Sequence, residues 1–245
     1  MAEPSVLNEF AAAAGEYAAL LRDPVYDGRA LPRGDDLHVL VLPGLFGNDF
    51  YLTPLRGWLL RLGYRPIRSS LAVNAGCPDR LSAEIDKELA RSLPPGADLA
   101  IIGHSRGGIL AWALASRLGS RVTKLVLVGS PAGPLAQALR TGNLTAEIQR
   151  GVSRIVVDAG TAIRRAMDPN CAFPACDCSF LRALRAGLVP ATRVVSIASE
   201  DDQIVPARLC QVAGAENIVV SGTHSGLMTN AAVYRELARV LAASG

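Results

Sequence analysis

Aromatic residues make up only 5% of this chain of 245 residues, and it has three histidines and three methionines. Each scarcity excludes something. The arginines are scattered, with no block of like charge and little aromatic interleaving, and the formal net charge is +3. A nucleic-acid partner is therefore not indicated. No apolar run approaches the roughly 18 residues that a membrane span requires, so no transmembrane segment is expected. The N-terminal stretch lacks a basic region and is interrupted by Glu3, Glu9 and Glu16. It does not read as a secretory signal, and the expected location is cytoplasmic. Neither an internal repeat nor a low-complexity tract is present. What remains is half hydrophobic and 19% charged, as in one folded domain with a substantial core.

Residues 5–22 carry apolar side chains at helical spacing and predict an amphipathic helix with Ser5 as a possible N-cap. Asp23-Pro24 should end it, and Pro and Gly residues mark 23–36 as a connecting loop. The run Leu37 to Leu42 is the first clear strand. Helical patterns follow over 51–62 and 79–92, with a short strand at Tyr64–Arg68 between them. Further strands are expected at Leu99–Ile102, Val122–Val128, Val194–Ala198 and Ile218–Val220, and a last helix over 229–243. Strands alternating with helices imply a mostly parallel, doubly wound α/β sheet, in which ligands sit at the carboxyl ends of the strands. The interval 131–190 breaks the alternation and is expected to be an insertion, a cap or lid beside the site, with a merely structural excursion as the alternative.

One stretch organises the rest: Gly103-His104-Ser105-Arg106-Gly107-Gly108, after an apolar strand and before an Ala- and Leu-rich helix. A serine between two glycines at a strand-to-helix turn is a nucleophile elbow. The turn is so tight that side chains at 103 and 107 would strike the neighbouring strand or helix. That geometry pushes the Ser105 hydroxyl out at the sheet edge, in front of free N–H groups of the helix N-terminus. A serine hydroxyl needs a base. His38 lies within the first strand, and His104 sits in the elbow, directed away from Ser105. That leaves His224, in the Gly-rich loop Ser221 to Gly226. The orienting acid should come from Glu200, Asp201 or Asp202 after the Val194–Ala198 strand, the others being solvated charges. Donors for a developing oxyanion would be the N–H of Arg106, following the nucleophile, and of Leu45 in Pro43-Gly44-Leu45-Phe46-Gly47.

These motifs resemble the α/β-hydrolases, and more narrowly the small lipase/esterase-type serine hydrolases of actinobacteria. The resemblance runs over 37–243. It rests on Leu42 to Gly47, on Gly103 to Gly108, and on Asp202-Gln203-Ile204-Val205-Pro206 paired with Gly222-Thr223-His224-Ser225-Gly226. It implies an α/β-hydrolase domain over 37–245, preceded by a helix and loop over 1–36. It also selects Asp202 as the acid, because the acid of the family stands just before an x-Ile/Val-Val stretch. The implied function is a carboxylic ester hydrolase working through a Ser105–His224–Asp202 triad and an acyl-enzyme, on a small-molecule or lipid ester, without cofactor. Acyl transfer on the same triad and a non-catalytic binding protein of this fold are the alternatives. Two departures stand out. Pro43 replaces the histidine that often opens the oxyanion loop, and Arg106 replaces an apolar residue. Arg106 would either favour polar or acidic substrates or form a salt bridge on the rim. Leu45, Phe46, Phe50 and Trp112 suit either an apolar acyl chain or the core.

Cys171, Cys176, Cys178 and Cys210 cluster late in the chain. Cys176-x-Cys178 is too tight for a zinc pair. A disulfide tying the insertion to Cys210 and reduced thiols are the two readings, with Cys77 expected to be a reduced, buried thiol.

Overall fold

Short runs of branched aliphatic residues become the strands of one parallel sheet. The computed structural model describes residues 6–153 and 176–242. The elements there are α1 (Val6–Leu20), α2 (Pro24–Asp27), β1 (His38–Leu42), α3 (Thr53–Arg61), β2 (Arg65–Ile67), α4 (Pro78–Ser92), β3 (Leu99–His104) and α5 (Arg106–Leu118). They continue with β4 (Val122–Val128), α6 (Ala132–Thr141), α7 (Ala146–Ser153), α8 (Ser179–Ala186), β5 (Arg193–Ser199), β6 (Glu216–Val220) and α9 (Ala231–Ala242). The strand order is β2-β1-β3-β4-β5-β6, with every neighbouring pair parallel. All carboxyl ends of the strands therefore lie along one edge.

Side-chain alternation along the strands divides the core in two. Leu40, Leu42, Leu99, Ile101, Leu125 and Leu127 face α4, α5, α6 and α8. Val39, Val41, Ala100, Ile102, Val126 and Val128 face the other way, towards Leu20 of α1, Trp58 of α3 and Tyr234 of α9. The N-terminal two-thirds of α5 is buried on all sides. Ala111, Ala113 and Ala115 supply the small side chains that let a helix lie so close to the sheet. Trp112 belongs to this core as well.

Asp23-Pro24 ends α1 as expected but also starts α2, because the Asp23 carboxylate accepts the Val25 N–H at 2.9 Å. The expected loop over 23–36 thus opens with a helical turn. Within the predicted insertion, α6 and α8 pack against α5, and Leu135, Phe180, Leu181 and Leu184 are buried. At about 2 kcal/mol for each such side chain, α8 is held as firmly as any core helix. The segment 154–175, including Cys171, falls outside the described residues. No helix among the described residues is long and apolar enough to cross a membrane.

Candidate active site

The turn from β3 into α5 carries Ser105 at φ +51° and ψ −122°, a strained conformation for a residue with a side chain, costing about 1–3 kcal/mol. Close packing enforces it. A Cβ on Gly103 would lie 2.5 Å from the Gly108 Cα, and one on Gly107 would lie 2.4 Å from the Pro43 carbonyl oxygen. Gly108 is equally tight, since a Cβ there would meet Ser130 Oγ at 2.3 Å. Ser105 is held by its own N–H, which donates to the Val128 carbonyl at 2.9 Å.

Three loops at the carboxyl edge bring their side chains together here. His224 Nδ1 lies 2.6 Å from Asp202 Oδ2, and His224 Nε2 lies 3.0 Å from Ser105 Oγ. A carboxylate only accepts, so the imidazole proton sits on Nδ1, and Nε2 is left to accept from the Ser105 hydroxyl. All three side chains are buried. The other Asp202 oxygen accepts the N–H groups of Ile204 at 2.8 Å and Val205 at 2.7 Å. An Asx turn of this kind explains why the residues after the acid matter: their backbone fixes the carboxylate. Glu200 and Asp201 turn away from the imidazole. The first accepts from Ser221 Oγ, the second from the Gly222 N–H. They brace the histidine loop, a role that their reading as solvated charges did not contain.

His104 is turned away from the serine hydroxyl. Its Nε2 lies 3.0 Å from the His224 carbonyl oxygen, an acceptor, so Nε2 carries the proton and the ring supports the His224 backbone. Burial, reinforced by the neighbouring His224, pushes its pKa down from 6.5 to about 3. It stays neutral at ordinary pH. His38 stands at the far, amino-terminal end of β1.

The loop after β1 closes the other flank. A Cβ on Gly44 would lie 2.9 Å from His104 Nδ1 and 3.3 Å from Ser105 Cβ, so the backbone of this loop approaches Ser105 as only glycine permits. Leu45 is half-buried there, with Phe46 exposed beside it and Phe50 exposed further along the loop. The Arg106 side chain corrects an expectation. It is 3% exposed and so does not stand on the rim. Its guanidinium donates to Asn74 Oδ1 at 2.7 Å and to the Gly76 carbonyl at 2.6 Å. Asn74, fully buried, is the residue that the sequence did not announce. Its Nδ2 donates to the Pro43 carbonyl at 2.6 Å, its N–H donates to the Gly47 carbonyl, and its carbonyl accepts the Phe46 N–H. One side chain thus ties the β1 loop to Arg106. The only faint signal for it was a polar residue among small ones in Ala72-Val73-Asn74-Ala75-Gly76.

Cys77, Cys178 and Cys210 are free thiols, so the expected disulfide to Cys210 is not formed. Cys210 is buried beside Asp202, and burial, then that carboxylate, push its thiol pKa up. Cys77 is only half-buried. Among the described residues no cluster of His, Cys, Asp or Glu is arranged to hold a metal ion.

A family model described as the α/β hydrolase fold matches residues 71–150, the stretch centred on the elbow. The fold is that of the α/β-hydrolases. Within it, the chain is similar to a lipase-esterase related protein from Clostridium acetobutylicum, at 14% identity and a TM-score of 0.51, covering 86% of this chain and 98% of that one. A metagenomic carboxyl esterase shares 15% identity at a TM-score of 0.55, over 86% of this chain and 76% of the other. The thioesterase domain of the curacin biosynthetic pathway shares 17% identity at 0.55, over 86% and 93%. No curated protein sequence matches the chain.

Proposed function

We propose that this α/β-hydrolase-fold protein is a serine hydrolase that cleaves carboxylic esters. The observation that carries the proposal is the buried line Asp202–His224–Ser105, with hydrogen bonds of 2.6 and 3.0 Å. Ser105 Oγ attacks the ester carbonyl while His224 Nε2 takes its proton. Asp202 holds the imidazole in the required tautomer and stabilises the imidazolium. The N–H groups of Leu45 and Arg106 receive the oxyanion, each worth about 2.7–4 kcal/mol of transition-state stabilisation. His224 then protonates the departing alcohol, leaving the acyl group on Ser105. Water, deprotonated by His224, attacks that acyl-enzyme and releases the acid and the free serine. The exposed Phe46 and Phe50 near the loop mouth favour a small-molecule or lipid ester with an apolar acyl group. The known esterases sharing the fold are consistent with this reading.

Hydrolysis of p-nitrophenyl esters of graded acyl length tests it, together with fluorophosphonate labelling. Wild-type protein is expected to turn over and to label. Ser105→Ala should lose labelling and at least about 10⁴-fold in kcat. A wild-type protein that neither labels nor hydrolyses any ester in the series would overturn the proposal.

A further inference from the structure

We infer that Glu16, on the helix that precedes the hydrolase domain, is a positioning residue for the candidate base His224; the assignment rests on the ester-hydrolase reading of that site. The loop Ser221 to Gly226 has two glycines, and ordering such a loop costs conformational entropy. Glu16 supplies the restraint. Its Oε1 accepts the Thr223 N–H at 2.7 Å and the Thr223 hydroxyl at 2.7 Å, and its Oε2 accepts Asn230 Nδ2 at 3.0 Å. Thr223 Oγ1 in turn accepts the Gly226 N–H at 3.1 Å. Asn230 Nδ2 also donates to the Ser221 carbonyl at 2.9 Å. Groups on both sides of His224 are therefore gathered onto one carboxylate.

The glycines of the loop make room for that carboxylate. A Cβ on Gly226 would lie 2.5 Å from the Glu16 carboxylate, and one on Gly222 would lie 2.7 Å from Glu16 Oε2. Gly222 also has φ +136°, where a side chain is strained. The loop sequence thus fits a carboxylate delivered from 207 residues away. The His224 carbonyl and the next one along are held separately, by His104 Nε2 at 3.0 Å and by the Tyr51 hydroxyl, which donates to the Ser225 carbonyl at 2.9 Å. Thr223, immediately before the imidazole, is left to Glu16. Helix α1 packs on the turn Ser225–Thr229. Its carboxylate is half-buried in that contact, so it acts on the loop and not on substrate.

The test compares Glu16→Ala and Glu16→Gln in the full chain, with two readouts. One is kcat and KM on the best p-nitrophenyl ester. The other is the proton NMR signal of the His224 Nδ1–H···Asp202 bond, which needs no turnover. Glu16→Ala is expected to lower kcat about tenfold at nearly constant KM and to broaden the proton signal, because imidazole misplacement acts on the chemical step. Glu16→Gln keeps one acceptor oxygen for Thr223 and should stay within about threefold of wild type, with a sharp signal. If a folded Glu16→Ala keeps both the signal and kcat, the inference is wrong, whatever happens to its Tm. Should Glu16→Ala fail to fold, Glu16→Asp, which draws the carboxylate back by one methylene, is read in the same way. A wild type without ester turnover whose signal still broadens in Glu16→Ala would overturn the ester reading and leave the clamp standing.

Discussion

The loop after β1 and the loop after β6 both border Ser105, and both are glycine-bearing segments at the carboxyl edge of the sheet. The first is held from within the buried body of the fold. Asn74, at 0% exposure, fastens it to the guanidinium of Arg106 in the elbow itself. The second is held at Thr223 by the half-buried Glu16 of α1 and at two carbonyls by His104 and Tyr51. A buried clamp is expensive to break, because each polar group stripped of its partner costs about 1–3 kcal/mol. A half-exposed clamp can be replaced in part by water, so its loss should be felt in the position of the imidazole more than in the stability of the fold. The same task, fixing a loop beside Ser105, is thus divided between a buried and a half-exposed clamp.

The largest expected effect lies on the β6 side, at the carboxylate behind His224. Asp202→Asn should lower kcat about 10⁴-fold, because an amide favours the wrong imidazole tautomer. Asp201→Asn, whose carboxylate braces only the Gly222 N–H, should stay within about threefold, since an exposed hydrogen bond is worth about 1 kcal/mol. Equal losses in the two variants, measured at saturating ester, would erase the distinction between them. Next comes the buried clamp. Asn74→Ala takes partners from the Pro43 carbonyl and from Arg106, and should cost about 3 kcal/mol in urea unfolding. It should also lose about 10²-fold in kcat through a displaced oxyanion loop. A kcat loss without a stability loss would make the β1 loop resemble the β6 loop and break the comparison.

The smallest effect concerns His104, which touches both loops. Its pKa is pushed down from 6.5 to about 3, so between those values the unfolded chain binds a proton that the folded chain does not. Stability contributed by this group is present above pH 6.5 and falls as the pH drops towards 3. From pH 7 to pH 5 the loss from His104 is about 2 kcal/mol. His104→Gln should remove that part of the acid slope, read as the difference between the two proteins in urea unfolding at each pH. Parallel slopes would show that His104 is not kept neutral by its surroundings.

Much of the fold was legible because its determinants are local. Apolar strand runs, helical spacing and the glycines around Ser105 act over a few residues, and the parallel sheet follows from their alternation. Local pattern left Glu200, Asp201 and Asp202 open, and the family resemblance singled out Asp202, whose carboxylate is held by the N–H groups of Ile204 and Val205. Arg106 was misjudged because nothing within a few residues of it reveals Asn74, 32 residues away. The insertion was read as a possible lid, yet α8 within it is core, since Phe180 and Leu181 find their partners on α5 only after the sheet has formed.

By itself, then, the sequence determined the α/β architecture, the strained serine turn and the supply of an imidazole and carboxylates on later loops. Those features depend on steric and hydrophobic patterns over short range. The tertiary structure alone decided which polar side chains fix the loops around Ser105, and that Cys210 beside Asp202 remains a thiol. Such pairings join residues tens to hundreds of positions apart, and hydrogen bonds leave no periodic trace along the chain.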